Sequence, residues 1–128
     1  MNQAAALWLI KFGGVASLGW LIFHLCFWRL FEWKTQLSRL SELNRSVMQV
    51  LNLCLSFVFA VFAAASLLYA DDLLKPGLGR LWLAGMGLFW LLRLIEQPLF
   101  FGVSRVSNVF SLCFALMSVC YLAPWALS

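Results

Sequence analysis

Charge is the property that this sequence most lacks. Only 11% of its 128 residues are Asp, Glu, Lys or Arg, whereas ordinary soluble domains carry roughly 25%. Hydrophobic residues make up 64% of the chain, and a folded core of this size cannot shield so much apolar surface from water. These proportions exclude a soluble enzyme, a nucleic-acid-binding module, a disordered tail and any sizeable extramembrane domain.

Metal-binding and redox motifs are missing as well. The four cysteines, Cys26, Cys54, Cys113 and Cys120, lie in apolar stretches without CxxC or CxC spacing. Their placement indicates small apolar packing residues and signals neither a zinc site nor a redox dithiol. The single histidine, His24, has no second ligand that would predict a haem or another metal. We therefore expect no cofactor, no metal and no catalytic residues.

The first residues lack the features of a cleaved signal peptide. The start, Met1-Asn2-Gln3, has no basic region, and Lys11 interrupts the apolar run that follows. No Ala-x-Ala cleavage site follows this run before the charged segment. We expect the first apolar stretch to be a retained transmembrane helix.

Four apolar segments have the length of a membrane-spanning helix, which needs about 20 residues. They cover residues 4–31, 47–70, 81–101 and 106–127, and the second and fourth contain no charged residue. The ten-residue alternation of a membrane β-barrel is absent. The sequence predicts an all-α, polytopic membrane protein. We expect four transmembrane helices in an antiparallel bundle, forming a single domain over residues 1–128.

The connections between the four segments are short, and the first is the most polar. Its apolar residues follow the three-and-four spacing of an amphipathic helix: Trp33, Leu37, Leu40, Leu43 and Val47. This segment, residues 32–45, either lies flat at the membrane interface or extends the flanking helices, and Ser41-Glu42 resembles a helix start. Pro76-Gly77 predicts a turn in the second connection. Residues 102–105 predict a tight hairpin between the last two helices.

The distribution of Lys and Arg predicts which connections face the cytoplasm, where such residues collect. Five lie in or beside the first and third connections and three lie on the opposite side: Arg29, Lys34, Arg39, Arg45 and Arg105, against Lys11, Lys75 and Arg80. The first and third connections are thus expected in the cytoplasm and both termini outside. The net charge of +4 is better explained by topology than by binding of lipid headgroups or nucleic acid.

Aromatic residues fit the same arrangement, because amphipathic rings favour the membrane interfaces. The outer interface is expected to hold Trp8, Tyr69, Trp82, Tyr121 and Trp125, and the inner one Trp28 and Trp33. Trp20 and Trp90 fall nearer the middle of their spans. Small residues at Gly13 and Ser17, at Ala60 and Ala64, and at Gly85 and Gly87 predict close helix contacts.

Polar residues within the spans gather at the predicted cytoplasmic end. They are His24 in the first helix, Gln49 and Asn52 in the second, Arg93, Glu96 and Gln97 in the third, and Asn108 in the fourth. The outer two-thirds of the bundle is expected to be nearly pure hydrocarbon. Ionisable groups at membrane depth usually face the bundle interior and pair with one another. Glu96 shares a helix face with Arg93 and is within reach of His24 or Gln49 on a neighbouring helix.

Two interpretations of these polar residues stay open. They are either an interhelical clamp that fixes helix packing, or a site that titrates protons through His24 and Glu96 or holds an anionic substrate near Arg93. The clamp predicts a structural or accessory subunit that packs against partner transmembrane helices in the lipid bilayer. The site predicts a small homo-oligomeric transporter or channel. An enzyme is not expected, because no nucleophile or acid–base pair stands out.

One part of the chain resembles small uncharacterised bacterial four-helix membrane proteins. The resemblance is carried by His24-x-x-Phe27, Phe31-x-Trp33 and Leu37-x-x-Leu40-x-x-Leu43-Asn44-Arg45, followed by an uncharged second span. It covers about the first 60 residues and, to a smaller extent, residues 93–97. It implies a location in the bacterial inner membrane and no particular activity.

Reporter fusions test the predicted sides of the membrane. Since both termini are expected outside, alkaline phosphatase fused after Ser128 should be active, and a green fluorescent protein fused there should be dark. The same reporters fused after Ser38, in the first connection, should give the reverse. A fluorescent fusion after Ser128 would show that the assignment of sides is wrong.

Overall fold

A computed structural model describes residues 1–127 and is helical throughout. In chain order the helices are α1 (Gln3–Leu25), α2 (Phe27–Leu30), α3 (Trp33–Gln36), α4 (Glu42–Leu68), α5 (Ala70–Leu73), α6 (Leu78–Phe101) and α7 (Arg105–Leu127). Helices α1, α4, α6 and α7 are each long and apolar enough to cross a membrane. The prediction of an all-α protein with four candidate membrane spans is confirmed.

The first span is shorter than predicted. Helix α1 begins after Asn2, whose side chain accepts a hydrogen bond from the backbone N–H of Ala5, and it ends at Leu25 rather than near residue 31. After Cys26 the chain continues as the four-residue helix α2. Hydropathy could not reveal this end, because the residues that follow Cys26 are as apolar as those before it.

The first connection is not one amphipathic helix lying flat, so that alternative is wrong, whereas its last residues extend α4, which begins at Glu42. Glu32 has a left-handed backbone (φ 49°), and α3 passes into a 3-10 turn over Leu37–Arg39. Trp33 and Leu37 are buried, whereas Leu43 is 73% exposed, so only the first half of the predicted apolar face has partners. Ser41 starts α4 as predicted, since its hydroxyl accepts a hydrogen bond from the backbone N–H of Asn44.

The second and third connections agree with their turn signals. Gly77 has a φ of 82° and Gly102 a φ of 69°, a left-handed region that glycine adopts without a steric penalty. Lys75 donates a hydrogen bond of 2.6 Å to Asp72 beside the Pro76-Gly77 turn. This bond and the charge of the carboxylate raise the pKa of Lys75. Three residues separate α6 from α7, so the predicted short connection is confirmed.

Aromatic rings fill the middle of the protein. Trp90 on α6 is fully buried and stacks on Phe59 of α4, with ring centroids 5.4 Å apart and planes at 11°. On its other side it meets Trp20 of α1 and Phe114 of α7, with centroids at 5.6 Å and 5.8 Å. Aromatic pairs of this kind contribute about 0.5–1.5 kcal/mol beyond the area that they bury. The rings therefore join all four long helices.

Three glycines allow close approach between helices. A Cβ atom at Gly13 of α1 would lie 2.7 Å from the ring of Tyr121, and one at Gly14 would lie 2.8 Å from Cβ of Ser66. At Gly87 of α6 it would lie 2.5 Å from the side chain of Leu122. The predicted close contacts are confirmed at Gly13 and Gly87. Gly85 faces open space instead.

Substitution of Gly87 tests this packing. Gly87→Val is expected to lower the free energy of unfolding by about 1–3 kcal/mol, because the added methyl groups overpack the contact with α7. Gly85→Val on the same helix is the matched control, since nothing lies within 4 Å of its Cβ position. Unfolding in detergent micelles, followed by circular dichroism, measures both. Equal stabilities of the two variants would contradict this account.

Candidate functional site

His24 and Asn52 form a two-point connection between α1 and α4. The Asn52 amide nitrogen Nδ2 donates to the backbone carbonyl of His24 at 3.1 Å, and Asn52 Oδ1 lies 3.0 Å from His24 Nδ1. An amide oxygen only accepts hydrogen bonds, so Nδ1 carries the proton that it donates. Asn52 is buried and His24 is half-buried. The contact therefore ties the end of α1 to α4 through both the backbone and the side chain of His24.

Arg93 starts a chain of hydrogen bonds that runs toward the connection between α6 and α7. Its Nη1 lies 2.7 Å from Glu96 Oε2, and its Nη2 donates to Gln97 Oε1 at 3.3 Å. Gln97 Nε2 donates to the hydroxyl of Ser107 at 3.2 Å, and that hydroxyl donates to the carbonyl of Gly102 at 2.7 Å. Each member therefore has a partner within α6, α7 or their connection.

Aromatic rings lie between these two groups of polar residues. The His24 ring is 5.0 Å from the Phe59 ring, which stacks on Trp90. On the other side of Trp90, Phe114 lies 4.8 Å from the Arg93 guanidinium carbon, in the geometry of a cation–π contact. The two groups thus share one end of the protein and are joined mainly through apolar rings.

The predicted polar residues are only partly brought together. His24 pairs with Asn52, and Arg93 with Glu96 and Gln97. Of the two alternatives for Glu96, the pair with Arg93 on its own helix forms, and within residues 1–127 a contact with His24 or Gln49 does not. Two predicted members stand apart without side-chain hydrogen bonds in the described part of the chain: Gln49, half-buried on α4, and Asn108, exposed on α7.

A second buried polar group was missed by the sequence analysis. The hydroxyl of Tyr121 on α7 lies 2.9 Å from the hydroxyl of Ser66 on α4 and 3.5 Å from that of Ser17 on α1. Ser17 also donates to the carbonyl of Gly13 at 2.8 Å. Tyr121 is 0% exposed and packs inside the protein beside Gly13, so it does not face outward as a free interfacial ring would. The Gly13–Ser17 spacing was the signal that pointed to this contact.

This second group corrects the expectation that the rest of the bundle is nearly pure hydrocarbon. Tyr121, Ser17 and Ser66 are each buried and belong to three different helices. Their hydroxyls satisfy one another, as buried polar groups away from water require. Ser107 and Ser56 were also absent from the predicted set, since serine in a span carries no distinctive signal in the sequence.

The polar residues do not form a metal site or line a described cavity. Across residues 1–127, no group of three or more His, Cys, Asp or Glu side chains is placed to hold a metal ion. Two cavities lie elsewhere. One of about 380 Å³ is an open groove beside the contact of α1 with α7, and one of about 440 Å³ lies beside the second connection, near Asp72 and Trp82. The geometry therefore indicates mutual pairing of the polar groups.

No protein-family model, curated protein or solved structure matches this chain. The resemblance to small bacterial four-helix membrane proteins stays a prediction.

Removal of Asn52 tests the connection between α1 and α4. Asn52→Leu leaves the His24 ring N–H and carbonyl without partners, and we expect a loss of about 1 kcal/mol in the free energy of unfolding. Asn108→Leu is the matched control, because Asn108 is exposed and its side chain makes no hydrogen bond in the described chain. Denaturant titration in micelles measures both variants. An equal loss at the two positions would contradict the proposed connection.

Proposed function

We propose that this chain is a small structural or accessory subunit of a membrane assembly, which packs against partner transmembrane helices. One observation carries the proposal: the polar side chains that stand closest together in the spans are occupied by one another. His24 is held by Asn52, and Arg93 is held by Glu96 and Gln97. Polar groups paired in this way stabilise contacts between helices and leave the outward surface as the main means of interaction.

An antiparallel order of the four spans belongs to this proposal. His24 near the end of α1 contacts Asn52 in the first half of α4, and Gln97 near the end of α6 contacts Ser107 at the start of α7. The amino group of Met1 lies 3.1 Å from the carbonyl of Leu127, so the chain begins where it ends. These contacts support an up-and-down path through the membrane.

The ion pair on α6 supports a covering partner. The side chains of Arg93 and Glu96 are 25% and 34% exposed, although they lie within a candidate span. Charged groups exposed to hydrocarbon are costly, and a neighbouring helix or an interfacial position lowers that cost. Large apolar residues continue the same outward surface, with Leu99 74% and Phe100 79% exposed. We infer that a partner helix packs against this face.

We further propose a bacterial inner-membrane location, with both termini outside and the first and third connections in the cytoplasm. The excess of Lys and Arg in and beside those two connections supports the orientation. The resemblance of the first 60 residues to small bacterial membrane proteins supports the location. In this orientation the predicted polar residues of the four spans lie in the cytoplasmic third of the membrane. They are His24, Gln49, Asn52, Arg93, Glu96, Gln97 and Asn108.

The second candidate is a small homo-oligomeric transporter or channel. It is favoured by the same partial exposure of Glu96, because an accessible carboxylate at membrane depth can bind and release protons. In that case Arg93 and His24 would modulate its charge at the inner end of the bundle. The two candidates predict different effects of removing the Glu96 charge: a loss of stability and partner binding for the first, and a loss of proton transport for the second.

Glu96→Gln separates the two functions. Under the first proposal it lowers the free energy of unfolding by about 1 kcal/mol, because Arg93 loses its ion-pair partner, and it reduces the amount of partner protein recovered by cross-linking in native membranes. Asp72→Asn is the matched control, since it removes the charge of an exposed ion pair in a connection. The transporter candidate is tested by measuring proton flux into proteoliposomes loaded with a pH-sensitive dye. A proton flux that Glu96→Gln abolishes at unchanged stability would contradict the first proposal.

A further inference from the structure

A cleft with charged and aromatic walls lies beside the second connection. It encloses about 440 Å³ between the end of α4, helix α5 and the start of α6. Gly79 allows α6 to approach α5 here, because a Cβ atom on Gly79 would collide with the backbone carbonyl of Asp72. The walls include two charged, two aromatic and two apolar side chains: Asp72, Lys75, Tyr69, Trp82, Ala65 and Leu78. Largely apolar concave surfaces with a few placed polar groups are typical of ligand sites.

The charged and apolar parts of this cleft lie at different depths. Asp72 and Lys75 belong to the stretch between the candidate spans α4 and α6, whereas Leu78 and Trp82 lie in the first two turns of α6. From Leu78 to Trp82 the helix rises about 6 Å. The polar layer on each side of a bilayer is about 5–8 Å thick, so the cleft has the depth of a lipid headgroup. Trp and Tyr rings are also favoured in this layer.

The ion pair in the cleft can make further hydrogen bonds. The ammonium of Lys75 carries three N–H groups, and one of them donates to Asp72 Oδ1. Across residues 1–127 the second carboxylate oxygen, Asp72 Oδ2, receives no hydrogen bond, and both side chains are more than half exposed. A ligand can therefore place an anionic group on Lys75 and a cationic group on Asp72 while the existing pair stays intact.

We propose that the cleft binds the headgroup of phosphatidylethanolamine, with its phosphate on Lys75 and its ammonium on Asp72. Side chains of both charges in one cleft match a zwitterion, and hydrogen bonds between ionised groups are the strong ones. The ammonium is a primary one, because a quaternary ammonium has no N–H to donate to a carboxylate. The rings of Tyr69 and Trp82 then pack against the glycerol and the first methylene groups of the acyl chains.

This site is separate from the proposed partner face on α6. The lining of the cleft on α6 ends at Trp82, and the ion pair of that face begins at Arg93, a rise of about 16 Å along the helix. Failure of either proposal therefore leaves the other intact.

Lipid titration followed by native mass spectrometry tests the headgroup chemistry. The purified full-length protein, freed of lipid, is mixed with palmitoyl-oleoyl phosphatidylethanolamine, or with phosphatidylcholine or phosphatidylglycerol carrying the same acyl chains. We expect about fivefold more bound phosphatidylethanolamine than either of the others, because only its headgroup has an ammonium that can donate to Asp72. Equal binding of phosphatidylcholine or of phosphatidylglycerol by the wild type would overturn the proposal, and so would the absence of bound lipid.

Neutral variants of two neighbouring aspartates locate the charge requirement. Asp72→Asn should lower the binding of phosphatidylethanolamine about fivefold, to the level of phosphatidylcholine, because a neutral amide attracts an ammonium weakly. Asp71→Asn is the matched control, since it removes the same charge from an exposed residue that does not line the cleft, and it should leave the preference intact. Equal losses in the two variants would mean that the attraction is diffuse, which contradicts a site at Asp72. Unchanged unfolding midpoints establish that both variants are folded.

A tryptophan variant tests whether the lipid lies in the cleft itself. Trp82→Ala should lower the binding of phosphatidylethanolamine about threefold, because the glycerol and acyl chains lose a packing surface. Trp8→Ala is the matched control, since Trp8 is exposed on α1 and does not line the cleft. Undiminished binding by Trp82→Ala, or an equal loss in Trp8→Ala, would show that the lipid lies elsewhere and would overturn the proposal.

Discussion

A polar group inside a membrane has no water to pair with, and this constraint explains the polar contacts that are buried in the protein. Backbone groups are satisfied by the four long helices. Several buried polar side chains meet their requirement by joining helices, as in the two-point contact of Asn52 with His24 and in the Tyr121 hydroxyl between two serines. The same requirement that makes these residues costly therefore gives the helices their specific neighbours.

Small side chains allow some helices to approach closely, and large side chains fill the space between others. On one side Gly13 and Gly14 let α1 lie close to α7 and α4, and Gly87 does the same between α6 and α7. Between α4 and α6, by contrast, the space is filled by the rings of Phe59 and Trp90. Helix spacing is thus set locally, by glycine where backbones approach and by aromatic rings where they stay apart.

The proposed interaction with a partner lies on the outward surface of the helices. In an apolar medium an exposed leucine or phenylalanine is unremarkable, whereas an exposed ion pair or an unfilled groove calls for a specific neighbour. The pair formed by Arg93 and Glu96 lies on α6, and the groove lies between α1 and α7. Of these two features, the ion pair supports a partner helix, because it presents charge within the span.

The sequence alone determined the number of spans, the helical class and the two glycine turns, because these depend on local hydropathy and backbone freedom. It also predicted that His24, Asn52, Arg93, Glu96 and Gln97 lie at one end of the helix bundle. Only the tertiary structure decided their partners, since a hydrogen bond between helices depends on rotation and register that composition does not encode. Tyr121 shows the difference most sharply. Its sequence position suits a membrane interface, yet the space beside Gly13 and the hydroxyls of Ser17 and Ser66 hold it in the interior.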